Sequence, residues 1–270
     1  IRHNLLVMHK FNGEASFSEI IETARSEKNW KNVRAYINIF QEYSAYMTQK
    51  QKIMTLNFLY ELLMNREGDI RRQSGALMGN IIVHYDEEYR KELPQGVSQS
   101  PDVITSLDLW AKYLELIIQP DHRATEQHRR WLGYALRFVV NSVQQYCHTA
   151  DAREYLNIFL QYYRDMEQSD STAFILLDSI YALPLEVCTR EDKGTLLDFT
   201  VRMAQKDTVE IQIAALRFLY HLSCDPQCRE EFLPEISDCL DRIDSAGEIG
   251  VEFLMAKVRS NLGLFQTEEQ

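Results

Sequence analysis

The chain has 270 residues, 45% of them hydrophobic and 26% charged, with only 10 Gly and 6 Pro. That length can bury a large core, the mixture excludes a disordered chain, and few turn formers leave long segments that favour helices. A net charge of -11 and a pI near 5.2 repel polyanions, so nucleic acid could be held only by a local basic patch.

No apolar run reaches the roughly 18 to 20 residues that span a bilayer, and the start at Ile1 lacks the charged and apolar regions of a signal peptide. The expectation is a cytoplasmic protein with no membrane contact. Because the sequence does not begin with Met, it is also expected to be a fragment of a longer chain. Five cysteines, Cys147, Cys188, Cys224, Cys228 and Cys239, are odd in number and scattered, as suits reduced thiols.

In chain order, periodicity and breakers predict outer helices over 17–28, 49–65, 101–118, 151–166, 191–205 and 226–243. Inner helices are predicted over 30–46, 69–93, 125–147, 171–183, 208–223 and 247–262. Helix starts are read at Asp69 after Gly68, at Asp170 or Ser171, at Asp207 or Thr208, and at Asp225 before Pro226, with Pro94 closing the second inner helix. Asp86 and Glu87 precede Arg90 and Lys91 by four residues, the orientation that stabilises a helix surface. Pro94 to Ser100 reads as a surface loop.

Each inner helix except the last carries a polar stripe at offsets i, i+7 and i+11, which share one helix face. The stripes are Lys31, Asn38, Glu42; Gln73, Asn80, His84; Arg130, Arg137, Asn141; Ser171, Asp178, Ala182; and Glu210, Arg217, His221. The remainder of each helix is apolar, so neighbouring helices must cover it on nearly all sides. Stripe centres Asn38, Asn80, Arg137, Asp178 and Arg217 follow one another at 42, 57, 41 and 39 residues, the long interval containing the 94–100 loop.

The segment Asp69-Ile70-Arg71-Arg72-Gln73-Ser74-Gly75-Ala76-Leu77-Met78-Gly79 resembles the second helix of a HEAT or armadillo-type repeat. Asp207 to Leu216 is similar, with Val209 where the Arg would stand. The resemblance implies an all-α, right-handed α-α superhelix of about six helical pairs, read as a single helical-repeat domain over 1–270, with a period of about 40 to 47 residues. It also implies that the inner helices line a concave face on which the stripes form columns. Two uses of that face stand open. The columns can be a solvated ladder fixing repeat register, or a groove for an extended peptide or helix, with Tyr134, Tyr146, Tyr181 and Tyr220 as edge anchors. The candidate partner-binding residues are Asn80, His84, Arg130, Arg137, Asn141, Asp178, Arg217 and His221.

Other clusters carry less. Gly75 and Gly79, four apart, suit close packing against the preceding outer helix. Cys228 and Cys239, eleven residues apart on one helix, stand about 16 Å apart and cannot share an ion with His221 and Cys224, so no metal or cofactor is expected. Arg71, Arg72, Arg129 and Arg130, with His122 and His128, form the basic concentration, readable as an inter-repeat ion-pair network or as a grip on phosphate in the manner of HEAT-like DNA glycosylases. No catalytic constellation stands out. The reading is a protein-interaction or scaffolding module. Its alternative rests on 66–94, which resembles the helical region that accompanies bacterial HD-type phosphohydrolase domains and implies a regulatory role.

Overall fold

The computed structural model describes residues 14–93, 103–165 and 167–264. It divides into two compact units, Ile1–Phe159 and Leu160–Gln270. Every regular element among the described residues is helical. The 94–100 loop, the closing role of Pro94 and the helix ends expected at Pro101 and Met166 lie outside the described residues.

The first unit contains α1 (Glu14–Ser26), α2 (Trp30–Tyr43), a 3-10 turn at Ser44–Tyr46, α3 (Gln49–Leu62), α4 (Gly68–Val83), α5 (Glu87–Glu92), α6 (Ser106–Ile118), α7 (Glu126–Tyr146) and most of α8 (Ala152–Arg164). Short polar residues start α2, α3, α6 and α7 by accepting orphan backbone N–H groups. Asn29 accepts from Lys31, Thr125 from His128, and Thr48 with Gln51 and Thr105 with Asp108 form reciprocal capping boxes.

Helices in the first unit stack in two rows. α1 packs on α3, while α2 packs on α4 and α4 on α7. Buried polar tips extend the first row: the Tyr60 hydroxyl donates to the Leu116 carbonyl at 3.0 Å, Tyr113 to Asn57 Oδ1 at 2.8 Å, and Trp110 Nε1 to the Tyr155 carbonyl at 2.9 Å. Burial pushes the Tyr113 phenol up to about 12, so it stays a donor. Between the rows, Phe40 meets Phe17 and Phe58 at centroid distances of 5.9 Å, a geometry that adds to plain area burial.

The second unit repeats the scheme with α9 (Asp170–Ser179), two 3-10 turns at Ile180–Ala182 and Leu185–Val187, α10 (Arg190–Ala204), α11 (Val209–Cys224), α12 (Pro226–Arg242) and α13 (Ile249–Asn261). α9, α11 and α13 form one row, and α10 with α12 the other. The fully buried Tyr163 donates to the Leu176 carbonyl at 2.7 Å and meets Phe199 edge-on at 5.0 Å. Each unit is thus a stack of helical hairpins in which a helix packs against the next helix of its own row and against helices of the other, the contact pattern of a HEAT/armadillo-like α-solenoid.

Several local expectations need correction. Gly75 and Gly79 do pack closely, but against α7 of the following hairpin: a Cβ on Gly79 would lie 2.7 Å from Ser142 Cβ and 2.8 Å from the Val139 carbonyl, and one on Gly75 3.0 Å from Phe138 Cβ. The helix predicted over 69–93 breaks at His84 into α4 and α5. Asp69 does not cap α4; Glu67 holds that position without a side-chain bond, and Asp69 pairs with Arg72 at 3.1 Å. Ser169 rather than Asp170 or Ser171 caps α9, because Lys206 and Thr208 occupy the Asp170 carboxylate at 2.7 and 3.0 Å. Asp225 caps α12 as expected, and the Asp86–Arg90 and Glu87–Lys91 pairs are present at 3.4 and 3.6 Å.

The break at His84 has a physical cause. Asp86 is 1% exposed, and its carboxylate accepts from the Ser106 backbone N–H at 3.0 Å and the Ser106 hydroxyl at 2.7 Å. Arg90 faces Asp86 and also reaches Asp151 at 2.6 Å. A buried carboxylate must be satisfied this fully, and a straight helix would not deliver it to the start of α6.

These contacts set the expected response to substitution. Gly79→Ala gains about 1 kcal/mol of helix propensity but must part α4 from α7, a strain of about 1–3 kcal/mol, so urea denaturation is expected to show net loss. Gly194→Ala in α10, where a Cβ meets nothing within 4 Å, is expected to stabilise. Asp86→Ala strands the Ser106 donors and is expected to cost roughly 2–4 kcal/mol, whereas Asp151→Ala, at the more exposed end of the same chain of contacts, is expected to cost less than about 1 kcal/mol.

Candidate functional site

In the first unit the stripes lie on the row α2, α4 and α7; in the second they lie on α9 and its following 3-10 turn and on α11, which share a row with α13. None of the fifteen stripe residues is buried: Lys31, Asn38, Glu42, Arg137, Asn141, Glu210, Arg217 and His221 are exposed, and the rest are half-covered. Their helical neighbours are sealed, as with Leu132, Ala135, Leu136, Val139 and Val140 on α7, all 0% exposed. One face per helix is wet, because offsets of i, i+7 and i+11 return to one side of a 3.6-residue helix.

Register along the row differs from the simple column. Arg71 lies over Tyr134, Gly75 against Phe138 and Gly79 against Ser142, three contacts with a constant separation of 63 residues. Arg137 therefore stands near the level of Gly75, and Asn80 near the level of Asn141 and Val143. The expected pairing of Asn80 with Arg137, 57 residues apart, is staggered by six residues, about 9 Å along the axis. In the second unit the register agrees with the sequence reading. Thr208 bonds Asp170 and His221 meets Tyr181, separations of 38 and 40 residues that bracket the 39 between Asp178 and Arg217.

Asn80 and His84 sit at the edge of a cavity of about 330 Å³ lined also by Lys52, Glu87 and Glu88. The Asn80 carbonyl meets His84 Nδ1 at 2.8 Å, and Lys52 Nζ donates to the His84 carbonyl at 3.0 Å. Lys52 is 9% exposed, and desolvation lowers its pKa from the ordinary lysine value against the pull of nearby carboxylates. Its ammonium completes the carbonyl end of α4, a place where the helix dipole favours a cation. Arg130 pairs within its own helix with Glu126 at 3.2 Å.

Cations and aromatic rings meet repeatedly on these helices within each unit. Lys31 lies over Trp30 at 5.9 Å, Arg71 over both Trp131 and Tyr134 at 5.9 Å, and Arg137 over Phe138 at 4.9 Å. In the second unit Lys257 lies 5.3 Å from the Tyr220 ring and 5.1 Å from Phe253, while His221 packs on Tyr181 at 5.6 Å. Such pairs hold a charge and an apolar plate together at the surface. Arg71 is further fixed by donating to the Asn65 and Arg66 carbonyls at 2.8 Å, and burial lowers its pKa from the usual guanidinium value.

Residue type and spacing point to Tyr134, Tyr146, Tyr181 and Tyr220 as anchors, and to Arg71 with Arg130 as neighbours in one basic concentration; the packing of α4 on α7 sets Arg71 over Trp131 and Tyr134 of the helix that carries Arg130. They do not point to Trp131, Lys257 and Phe253. Lys257 and Phe253 are four residues apart and legible as a helix-surface pair. Tyr220 joins them only through the packing of α11 on α13, which spacing within one helix cannot reveal.

Among the described residues no group of three or more His, Cys, Asp or Glu is gathered as a metal ion requires. All five cysteines are free thiols, and burial raises the Cys239 thiol to about 11. Among the described residues no helix is long and apolar enough to cross a membrane.

No family model matches the chain, and no curated protein matches it. Solved structures are similar to it, two of which follow. An engineered protein shares 12% identity at a TM-score of 0.42, covering 91% of this chain and 98% of its own. A designed armadillo repeat protein in complex with the peptide (KR)4 shares 11% identity at a TM-score of 0.41, covering 90% and 98%.

Proposed function

We propose that the chain is a non-catalytic interaction module that binds an extended segment of a protein partner on the exposed faces of its stripe-bearing helices. The observation that carries this reading is the recurrence of cation and aromatic groups at solvent-reachable positions on helices whose remaining faces are sealed. A face kept only for solubility needs charge but not Trp30, Tyr181 and Phe253, which are 37%, 39% and 59% exposed. Rings of this kind, backed by Arg, are what partner surfaces use as anchors. On the first unit Arg130, Arg137 and Asn141 would contact the partner, with the less exposed Asn80 and His84 beside them; on the second unit Arg217 and His221 would do so, with the less exposed Asp178. The sealed remainder of the helices would hold these groups in place at little entropic cost on binding.

The test is selection of a random peptide display library on the intact chain, followed by affinity measurement on the enriched peptides. Saturable binding is expected, weakened at least about tenfold by Arg137→Glu combined with Arg217→Glu, since each reversal replaces an attraction by a repulsion. Circular dichroism of the variant should match the parent, both side chains being exposed. Unchanged affinity in the variant, or no enrichment at all, overturns the reading.

A further inference from the structure

The row α2, α4 and α7 holds seven Lys and Arg against three Asp and Glu. The complete helices of the opposite row in the same unit, α1, α3 and α6, hold four against six, in a chain with 29 basic and 40 acidic residues. Positive charge is therefore concentrated on the helices that also carry the cation and aromatic pairs, with Glu42 on α2 and Glu87 and Glu88 of α5 at their edge. None of the seven basic side chains on that row is buried.

Two of the three acids are engaged inside their own helices, Asp69 by Arg72 at 3.1 Å and Glu126 by Arg130 at 3.2 Å. Among the described residues no carboxylate stands within ion-pair distance of Lys31, Arg34, Arg129 or Arg137. Lys31, Arg34 and Asn38 fall on one side of α2 at spacings of three and four. An ion-pair network built only to fix repeat register would pair these four cations with carboxylates of adjacent helices.

From this segregation we infer that the first unit's stripe row recognises an acidic peptide segment with apolar or aromatic residues interspersed. The inference rests on the interaction reading above and gives the partner its chemistry. Carboxylates of the segment meet Lys31, Arg34 and Arg137, and its apolar side chains lie on the rings beside them. A nucleic acid would meet the same cations, but a long polyanion also feels the net charge of -11, whereas a short peptide samples the local field over about one Debye length. The peptide is the occupant the charge distribution favours.

The experiment is fluorescence anisotropy on the intact chain with a labelled peptide of about 16 residues that alternates Asp or Glu with Leu or Phe. A counterpart with Lys and Arg in place of the acids and a single-stranded oligodeoxynucleotide of similar charge are run beside it. Expected are saturable binding of the acidic peptide at least about tenfold tighter than either comparison, and weakening as salt rises. A further loss of about tenfold or more is expected in Arg34→Glu with Arg137→Glu, and none in Lys112→Glu on the opposite row. No binding of the acidic peptide, equal or tighter binding of the oligonucleotide, or indifference to the Arg34 and Arg137 reversals overturns the inference. If neutral or basic library peptides still bind and are still lost on reversing Arg137 and Arg217, the wider interaction reading stands while the acidic specificity falls.

Discussion

The first unit depends on the close approach of α4 and α7. Two helices whose side chains all begin with a Cβ keep their axes 8–10 Å apart; at Gly79 a Cβ would already overlap the Val139 carbonyl at 2.8 Å. The missing Cβ atoms let Ser142 reach the Ala76 carbonyl at 2.5 Å. That contact also sets the helices' relative height, because only one register offers Phe138 and Ser142 to the two glycines. Once the register is set, Arg71 has no choice of neighbour and arrives over Trp131 and Tyr134. A packing constraint thus places the charged group at the surface.

Electrostatics then decides what such a surface can hold. A single exposed ion pair contributes about 0–1 kcal/mol to stability, so the pairs Asp69–Arg72 and Glu126–Arg130 do little to hold the helices together. Their effect is to neutralise two of the acids on the row and leave its positive field in place. The buried polar groups are a separate matter. Asp86, Ser106 and Tyr163 are fully satisfied and hold the chain's turns and hairpins in one arrangement.

Much of the architecture is legible in the sequence because it follows from periodicity, which is local. The apolar faces of Leu132 to Val143 and Ile211 to Leu222 announce helices covered on most sides, and the stripes mark the sides left wet. Caps are less legible where polar residues stand together: Ser169, Asp170 and Ser171 each suit the position, and the choice is settled by Lys206 and Thr208, which are distant in sequence. The break at His84 is hidden for the same reason, its cause being Ser106 on another helix. Register between helices is the extreme case. Asn80 and Arg137 match by residue type and stripe position, yet the glycines on α4 slide α7 along by more than a turn.

The tie between Asp86 and Ser106 has one more implication. It fastens the two ends of the chain between residues 86 and 106, and the free energy of closing a loop grows only logarithmically with its length. The stack beneath is therefore insulated from how long that stretch is. The end of α4 and the start of α6 are thus held together by a bond of their own, and the hairpins on either side keep their places without relying on the length of chain that joins them.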